Sequence, residues 1–321
     1  MAILLAVPNA SAGRDEGVVS AIAAALAPPG ASGVRLLDVH RDPDHDRSVF
    51  MLAGRQGAIA SALVDGAREA LEQIDLRNQE GVHPRVGALD VAPVVYRDES
   101  ARGAACAEAL TAAATIGDEL ELPVFLYGDL ATTPGQRERA SLRAGGPQRL
   151  AARIEAGELR PDYGPPRAHP SGGAVLVTAR PPLVALNLEL ASGDPDLARE
   201  IAASVREAGG AFRGVRALGL ELAERERVQV SLNVHDHRAA PLAAIVVAVR
   251  ARAPIACAEL VGLAPAAAFE GFPDDLPIRG FDPARHLIEN ALGSESTDGE
   301  DESEASPQAS RDPGGHGLGP G

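Results

Sequence analysis

The chain has 321 residues, 45% of them hydrophobic, and a net charge of −15 at neutral pH. This composition is typical of a globular protein large enough for two domains, and it excludes an intrinsically disordered chain. Nucleic-acid binding usually needs a basic surface to contact phosphates and aromatic side chains to stack on bases, whereas this chain is acidic and only 3% aromatic. We therefore predict no nucleic-acid partner.

The sequence contains no lysine, so all 30 basic residues are arginine. Such a chain cannot form a Schiff base through its own side chain, and it lacks the lysine that a P-loop uses to reach phosphates. Pyridoxal phosphate chemistry and Walker-type nucleotide hydrolysis are therefore excluded.

Short β-rich runs alternate with alanine-rich segments of helical spacing. In chain order the predicted strands cover 2–7, 34–39, 48–54, 87–96, 123–128, 173–179 and 183–190, and the predicted helices cover 57–74, 104–120 and 195–210. A further strand pair is predicted within 215–236. This alternation indicates a layered α/β or α+β protein. The N-terminus "MAILLAVPN" has no basic leader and is too short for a membrane span, so we predict a cytoplasmic protein with no membrane partner.

The segment "PDYGPPRAHPSGG" at 161–173 is the best internal candidate for a domain junction, because it is rich in proline and glycine. We predict one subdomain at 1–173 and a second at 174–292. Residues 293–321 carry seven acidic residues and one arginine, which leaves a charge of −9 for the rest. This acidic composition predicts a disordered, solvated tail.

His83 is the candidate for chemistry in "EGVHPRVGALDV" at 80–91. The following proline pushes His83 out of the α region, so the imidazole is presented from extended backbone at a strand entrance. It could be a turn histidine or a general acid/base, since its unperturbed pKa of about 6.5 suits proton transfer near neutrality. Spacing alone leaves both interpretations open.

A metal site is the alternative to a turn in "LLDVHRDPDHDRSVF" at 36–50, where His40 and His45 lie among Asp38, Asp42, Asp44 and Asp46. Side chains alternate along a strand and aspartates commonly cap turns, so the ligands need not converge. We predict no metal. Cys106 and Cys257 have no paired spacing and are predicted to be small core residues of a reduced protein.

Taken in order, several segments resemble the glutamate formimidoyltransferase (formiminotransferase domain) family. The resemblance covers essentially residues 1–265 and is carried by "AVPNASAGRDEGVV", "HPRVGALDVAPV", "PVFLYGDLA", "LRAGG", "PDYGPPRAHPSGGAVLVTAR", "LVALNLEL", "VQVSLNVHD" and "ELVGLAP". The acidic residues 293–321 fall outside it.

The resemblance implies an α+β fold of two α/β-sandwich subdomains. Their sheets, largely antiparallel or mixed, would face each other across a folate groove, with helices on the outer faces. It implies transfer of a formimidoyl group between N-formimidoyl-L-glutamate and tetrahydrofolate in histidine degradation, with tetrahydrofolate as co-substrate and no metal. A homodimer is implied, and a cyclodeaminase is a possible partner.

The resemblance also assigns site residues. His83 takes the position of the family's catalytic histidine. The folate-contacting loop corresponds to Gly164, Pro165, Pro166, Arg167, Ala168, His169, Pro170, Ser171, Gly172 and Gly173. Weaker candidates fall in matching segments: Arg14, Arg47, Arg85 and Arg143 could meet substrate carboxylates, and Asp90, Asn187 and Asp236 could orient the histidine or contact the pterin. Each of these could equally be structural.

Three departures from the family pattern keep other functions open. The family usually reads N-F-S-E-G where this chain has Asn9 to Gly13 with Ala10 and Ala12, and its glutamate before the histidine is Val82 here. A basic pair upstream is replaced by Gln79 and Glu80. The alternatives are a non-catalytic folate-binding paralogue and a relative that transfers formyl groups.

Overall fold

The structure is a computed structural model that describes residues 2–30, 33–79, 84–222 and 227–293. Two mixed β-sheets of seven and five strands, each packed against helices, account for most of these residues. The predicted fold class, α+β with two α/β units, is confirmed. His83 and the acidic segment from 294 lie outside the described residues.

The first sheet has the strand order β1-β4-β2-β5-β7-β6, with β3 added beside β4. Strands β1 to β5 pair antiparallel, whereas β7 is parallel to both β5 and β6. The strands are β1 (Ile3–Ala6), β2 (Asn9–Ala10), β3 (Val34–Asp42), β4 (Arg47–Arg55), β5 (Leu89–Val95), β6 (Val124–Leu126) and β7 (Val175–Arg180).

Helices cover one face of this sheet. Both faces of the sheet are apolar, because successive strand residues point to opposite faces and both sets are hydrophobic. On β4, Phe50 and Leu52 pack in the core beneath the helices, while Val49 and Met51 point to the opposite face. The helices of this unit are α1 (Glu16–Leu26), α2 (Ile59–Gln73), α3 (Arg102–Glu119), α4 (Arg139–Arg143) and α5 (Gly146–Glu155).

The second sheet has the order β12-β11-β8-β10-β9, antiparallel except for the β11–β12 pair. Its strands are β8 (Val184–Leu190), β9 (Val215–Leu222), β10 (Arg227–Val234), β11 (Ile255–Leu260) and β12 (Ile278–Arg279). The helices that follow β8 are α6 (Pro195–Val205), α7 (Leu242–Arg250), α8 (Pro283–His286) and α9 (Ile288–Gly293). Asp194 caps α6 by accepting from the backbone N–H groups of Asp196 and Leu197, at 2.9 and 3.2 Å.

The change from one sheet to the other falls between Arg180 and Val184. The predicted boundary at residue 173 lies before β7, whereas β7 pairs with β5 and β6 and so belongs to the first sheet. The proline-glycine segment is therefore a loop within the first unit. In the part of the chain that the structure describes, no helix has both the length and the apolar character needed to span a bilayer.

Candidate active site

A cavity of about 1130 Å³ is lined by residues of both sheets. This volume is in the range of sites for ligands of drug size or larger. The first sheet contributes the face opposite its helices, and the second sheet contributes β8, β9 and β10. The segment around α4 forms a further wall. Representative lining residues are Leu5, Asn9, Val49, Val91, Val95, Ala185, Asn187, Ala217, Ser231 and Asn233.

The cavity wall is rich in arginine. Against three lining carboxylates, those of Asp42, Glu138 and Glu207, stand seven arginines: Arg47, Arg137, Arg139, Arg143, Arg180, Arg206 and Arg216. This excess of positive charge lies in a protein whose net charge is −15. A cleft lined by one sign of charge concentrates ligands of the opposite sign, so the wall favours anions.

Two of these guanidinium groups have pKa values well below the ordinary range. Burial, followed by repulsion from Arg143 and Arg139, lowers the pKa of Arg47 to about 9. Burial lowers the pKa of Arg180 to about 10, and repulsion from Arg139 adds to it. Both groups are positively charged at neutral pH but are held against other cations, so a bound anion would relieve the repulsion.

The segment after His83 is fixed by Asp90. This buried carboxylate accepts from the backbone N–H of Val86 at 2.7 Å and also pairs with the guanidinium of Arg143, itself only 6% exposed. Pro84, the neighbour of His83, lines the cavity. Asp90 and Arg143 were sequence candidates, and the structure brings them together beneath this segment.

Arg85 turns away from the cavity toward the loop that joins β3 to β4. Its guanidinium donates to the carbonyl oxygen of His45 at 3.1 Å and lies 4.0 Å from a carboxylate oxygen of Asp46. Asp46 also accepts from the backbone N–H groups of Gly13 and Arg14, at 2.8 and 3.2 Å. Asp46 thus joins Arg14 and Arg85 in a structural network.

The predicted folate loop lies beside the segments that flank residues 80–83. The carbonyl of Ser171 accepts from Leu76 N–H, and that of Gly172 accepts from Ala88 N–H, both at 2.9 Å. The N–H of Ala174 donates to Val86 at 3.0 Å. None of the loop residues 164–173 is among those lining the large cavity.

The remaining candidates have separate positions. Arg47 lines the cavity and donates to the Asn9 side chain, and Asn187 lines it from β8 and donates to Glu259 at 3.2 Å. Asp236 caps a turn by accepting from the N–H groups of Arg238 and Ala239, at 3.0 and 3.2 Å. This agrees with the structural role that the sequence left open for Asp236.

The histidine-aspartate run does bring possible metal ligands together. His40, Asp42 and Glu259 each place one ligand atom within 4.8 Å of the others. Positive groups already lie beside these carboxylates, because Arg279 is 3.9 Å from Glu259 and buried Arg47 faces Asp42. His45 pairs with Asp42 at 3.2 Å. The absence of a metal stays a prediction.

Both cysteines are half-buried and free, so the prediction of core cysteines was only partly right. Cys106 packs against the first core, whereas Cys257 lies 3.1 Å from the guanidinium of Arg279. Burial raises the pKa of the Cys257 thiol.

Sequence reasoning missed Arg139, Arg180 and His235, which line the cavity from α4, β7 and the end of β10. The absence of lysine was the available signal, because it leaves only arginines to meet substrate carboxylates. Nothing in the spacing showed which of the 30 arginines would converge.

The structure is thus a two-sheet protein with a cavity between its two units, and the lining of this cavity is rich in arginine. Family models match both units: the formiminotransferase domain, N-terminal subdomain, matches residues 3–180, and the formiminotransferase domain matches residues 185–271. The chain belongs to the formiminotransferase domain family.

Full-length relatives agree with this assignment. The chain is 33% identical to a glutamate formimidoyltransferase of Streptococcus pyogenes serotype M1 over 90% of its own length and 98% of the relative's. It is 32% identical to a glutamate formimidoyltransferase of Thermoplasma acidophilum over 83% of this chain and 89% of that one. It is 33% identical to a formimidoyltransferase-cyclodeaminase of Rattus norvegicus, but spans only 56% of that relative.

Proposed function

We propose that the protein is a glutamate formimidoyltransferase, which moves a formimidoyl group between N-formimidoyl-L-glutamate and tetrahydrofolate. The observation that carries this proposal is the similarity, end to end, to the streptococcal enzyme of that name. The cationic cavity supports it, since glutamate and the folate tail both bring carboxylates to a lysine-free chain.

His83 is the proposed general acid/base. A folate nitrogen attacks the formimidoyl carbon, and the bond from that carbon to the glutamate nitrogen then breaks. The attacking nitrogen loses a proton and the departing nitrogen gains one, so a single imidazole can accept the first and return the second. Asp90 supports this role by holding the N–H of Val86, three residues further on.

The proposed folate site is the loop 164–173, with the carboxylates of the substrates reaching the arginines of the cavity. The hydrogen bonds from Leu76 and Ala88 to this loop support a site that includes both flanks of the histidine segment. No metal is required by this mechanism.

The cellular setting is proposed from the same family. We infer a cytoplasmic homodimer that acts in histidine degradation. Some relatives are named formimidoyltransferase-cyclodeaminase, so a cyclodeaminase is the proposed consumer of the formimidoylated folate.

The test is release of glutamate from N-formimidoyl-L-glutamate in the presence of tetrahydrofolate. His83→Ala is expected to lower turnover about 100-fold or more, because positioned proton transfer contributes at least that much. His286→Ala, a histidine of α8 outside the cavity, is the matched control and should retain turnover. Wild-type activity in His83→Ala would overturn the mechanism, and N-formyl-L-glutamate assayed in parallel decides which one-carbon unit is used.

A folate-binding paralogue is the second candidate, favoured by Ala10 and Ala12. Ala10 is fully buried in the first core, so the phenylalanine usual in the family would require repacking there. Ala12 lines a small pocket with Arg14 and Asp46. Folate binding without turnover, together with turnover gained in Ala12→Glu plus Val82→Glu, would establish this alternative.

A further inference from the structure

Some arginines of the cavity are compensated by carboxylates of the protein itself. Arg143 pairs with Asp90, and Arg216 pairs with Glu138 and Glu207 at 2.8 and 2.5 Å. Guanidinium groups held in this way are structural, because their charge and donors are already used. A cation that serves a ligand should instead lack such a partner.

Arg139 and Arg180 fit that description. Arg139 is the first residue of α4 and lines the cavity. Within the described residues its side chain makes no hydrogen bond or ion pair. Arg180 donates from Nη1 to the carbonyl of Pro181 at 2.9 Å and also interacts with the side chain of Tyr127, a neutral group, while its Nε is buried with no hydrogen-bond partner in the described part of the chain. A buried, unpaired donor of a charged group is costly.

The two groups also act on each other. The proximity of Arg139 lowers the pKa of Arg180, and Arg139 acts in the same direction on the pKa of Arg143. Each interaction is a repulsion between like charges, so these two interactions disfavour Arg139 at this position in the unliganded protein. An anion placed between the two guanidinium groups would turn this repulsion into attraction.

We propose that Arg139 and Arg180 together bind a glutamyl carboxylate of a substrate. A carboxylate matches a guanidinium fork in geometry and charge, and in a lysine-free chain arginine is the cationic side chain available for this task. Which substrate brings the carboxylate rests on the proposed function, since both N-formimidoyl-glutamate and the folate tail carry a glutamyl group.

The test is calorimetric titration with two probes at low ionic strength. N-acetyl-L-glutamate represents the formimidoyl donor, and p-aminobenzoyl-L-glutamate represents the folate tail. Arg139→Gln is the main variant, because Arg139 has no internal partner to lose among the described residues. Arg149→Gln is the matched control: it removes the same charge from an exposed position on α5, and Arg149 is not among the residues that line the cavity.

Arg139→Gln is expected to weaken at least one probe about tenfold or more, as loss of a charge-assisted hydrogen bond does. Arg149→Gln should stay within about twofold of the wild type. Arg180→Lys, which keeps the charge but not the fork, should bind more tightly than Arg180→Gln. The probe that is weakened identifies the source of the carboxylate, and the corresponding KM in the turnover assay should rise with it.

A stability measurement separates a ligand-binding role from a structural one. The melting temperature of Arg139→Gln should equal or exceed that of the wild type, because the substitution removes the repulsion between Arg139 and the cations Arg143 and Arg180. Wild-type affinity for both probes in Arg139→Gln and Arg180→Gln would refute the subsite, as would a wild-type protein that binds neither probe. Neither readout needs catalysis, so an inactive protein would refute the proposed function while leaving the binding result interpretable.

Discussion

At the scale of the residue, Gly87 forms a β-bridge to Gly173, the last residue of the predicted folate loop. A Cβ at this position would meet the carbonyl oxygens of Ala174 and Leu89 at 2.0 and 2.7 Å. Both are backbone atoms that cannot rotate away. Gly87→Ala is therefore expected to lower the free energy of unfolding by about 1–3 kcal/mol, as overpacking does, and to separate the two segments.

Urea denaturation checks this effect, with Gly103→Ala as the control. Gly103 lies in the first turn of α3, where an added methyl group would point into open space, so alanine there should not lower stability. Equal stability of the two variants would contradict the close approach. If the two segments build one site, Gly87→Ala should also lose folate affinity while Gly103→Ala keeps it.

Asp90 illustrates what the sequence alone could and could not predict. Its place in "HPRVGALDVAPV" marked it as a candidate, but spacing left open whether it orients the histidine or contacts a ligand. The structure shows a carboxylate that joins Val86 to Arg143, a residue 53 positions away. A contact of such separation depends on the paired strands and is invisible to local pattern.

At the scale of the element, the predicted strands and helices correspond closely to those observed. The helix predicted at 57–74 spans Ile59–Gln73, and the one predicted at 104–120 spans Arg102–Glu119. Periodicity succeeds here because each helix buries one apolar face. The domain boundary was placed by composition instead, and a proline-glycine loop followed by a strand does not reveal which sheet that strand joins.

The N-terminus of helix α2 is capped by a residue of another helix. Its N-cap residue, Ala58, has no side-chain oxygen, and the buried carboxylate of Glu108 on α3 accepts from the N–H groups of Gly57 and Ala60 at 2.6 and 2.8 Å. Glu108→Ala should lower the free energy of unfolding by about 1–3 kcal/mol, because the buried N–H of Ala60 and the partly buried N–H of Gly57 lose their acceptor. Glu108→Gln, which keeps one acceptor oxygen, should lose less.

Thermal and urea unfolding of both variants measure this difference. Glu119→Ala on the same helix is the control: its exposed pair with Arg68 should be worth less than about 1 kcal/mol. A Glu108→Ala variant no less stable than Glu119→Ala would show that water replaces the lost acceptor. The capping across helices would then be dispensable.

At the scale of the whole molecule, the cavity gathers positive charge that both units supply. Arg180 and Arg139 come from the first unit, and Arg216 comes from the second. The ion pair between Arg216 and Glu138 crosses from one unit to the other at 2.8 Å. Carboxylates of the protein therefore stabilise part of the cationic wall. His235 lies close enough to these arginines for their charges to act on it.

The pKa of His235 depends on the positive charge of these arginines. Burial, and then repulsion from Arg180, Arg139 and Arg216, lower its pKa from 6.5 to about 4, while Glu138 acts in the opposite direction. Between these two values the unfolded chain binds a proton that the folded chain does not. The free energy of unfolding should consequently fall as the pH falls through this window, and that of His235→Gln should fall less steeply.

Urea denaturation at a series of pH values from 7 to 4 measures the two slopes. Arg139→Gln provides a second, independent comparison, because removing one repulsive neighbour should raise the pKa of His235 and so also flatten the dependence. Parallel curves for the wild type and His235→Gln would mean that solvent in the cavity screens the arginines. A steeper wild-type curve that flattens when N-acetyl-L-glutamate is added would link the same charges to substrate binding, because a bound carboxylate offsets the repulsion that holds His235 neutral.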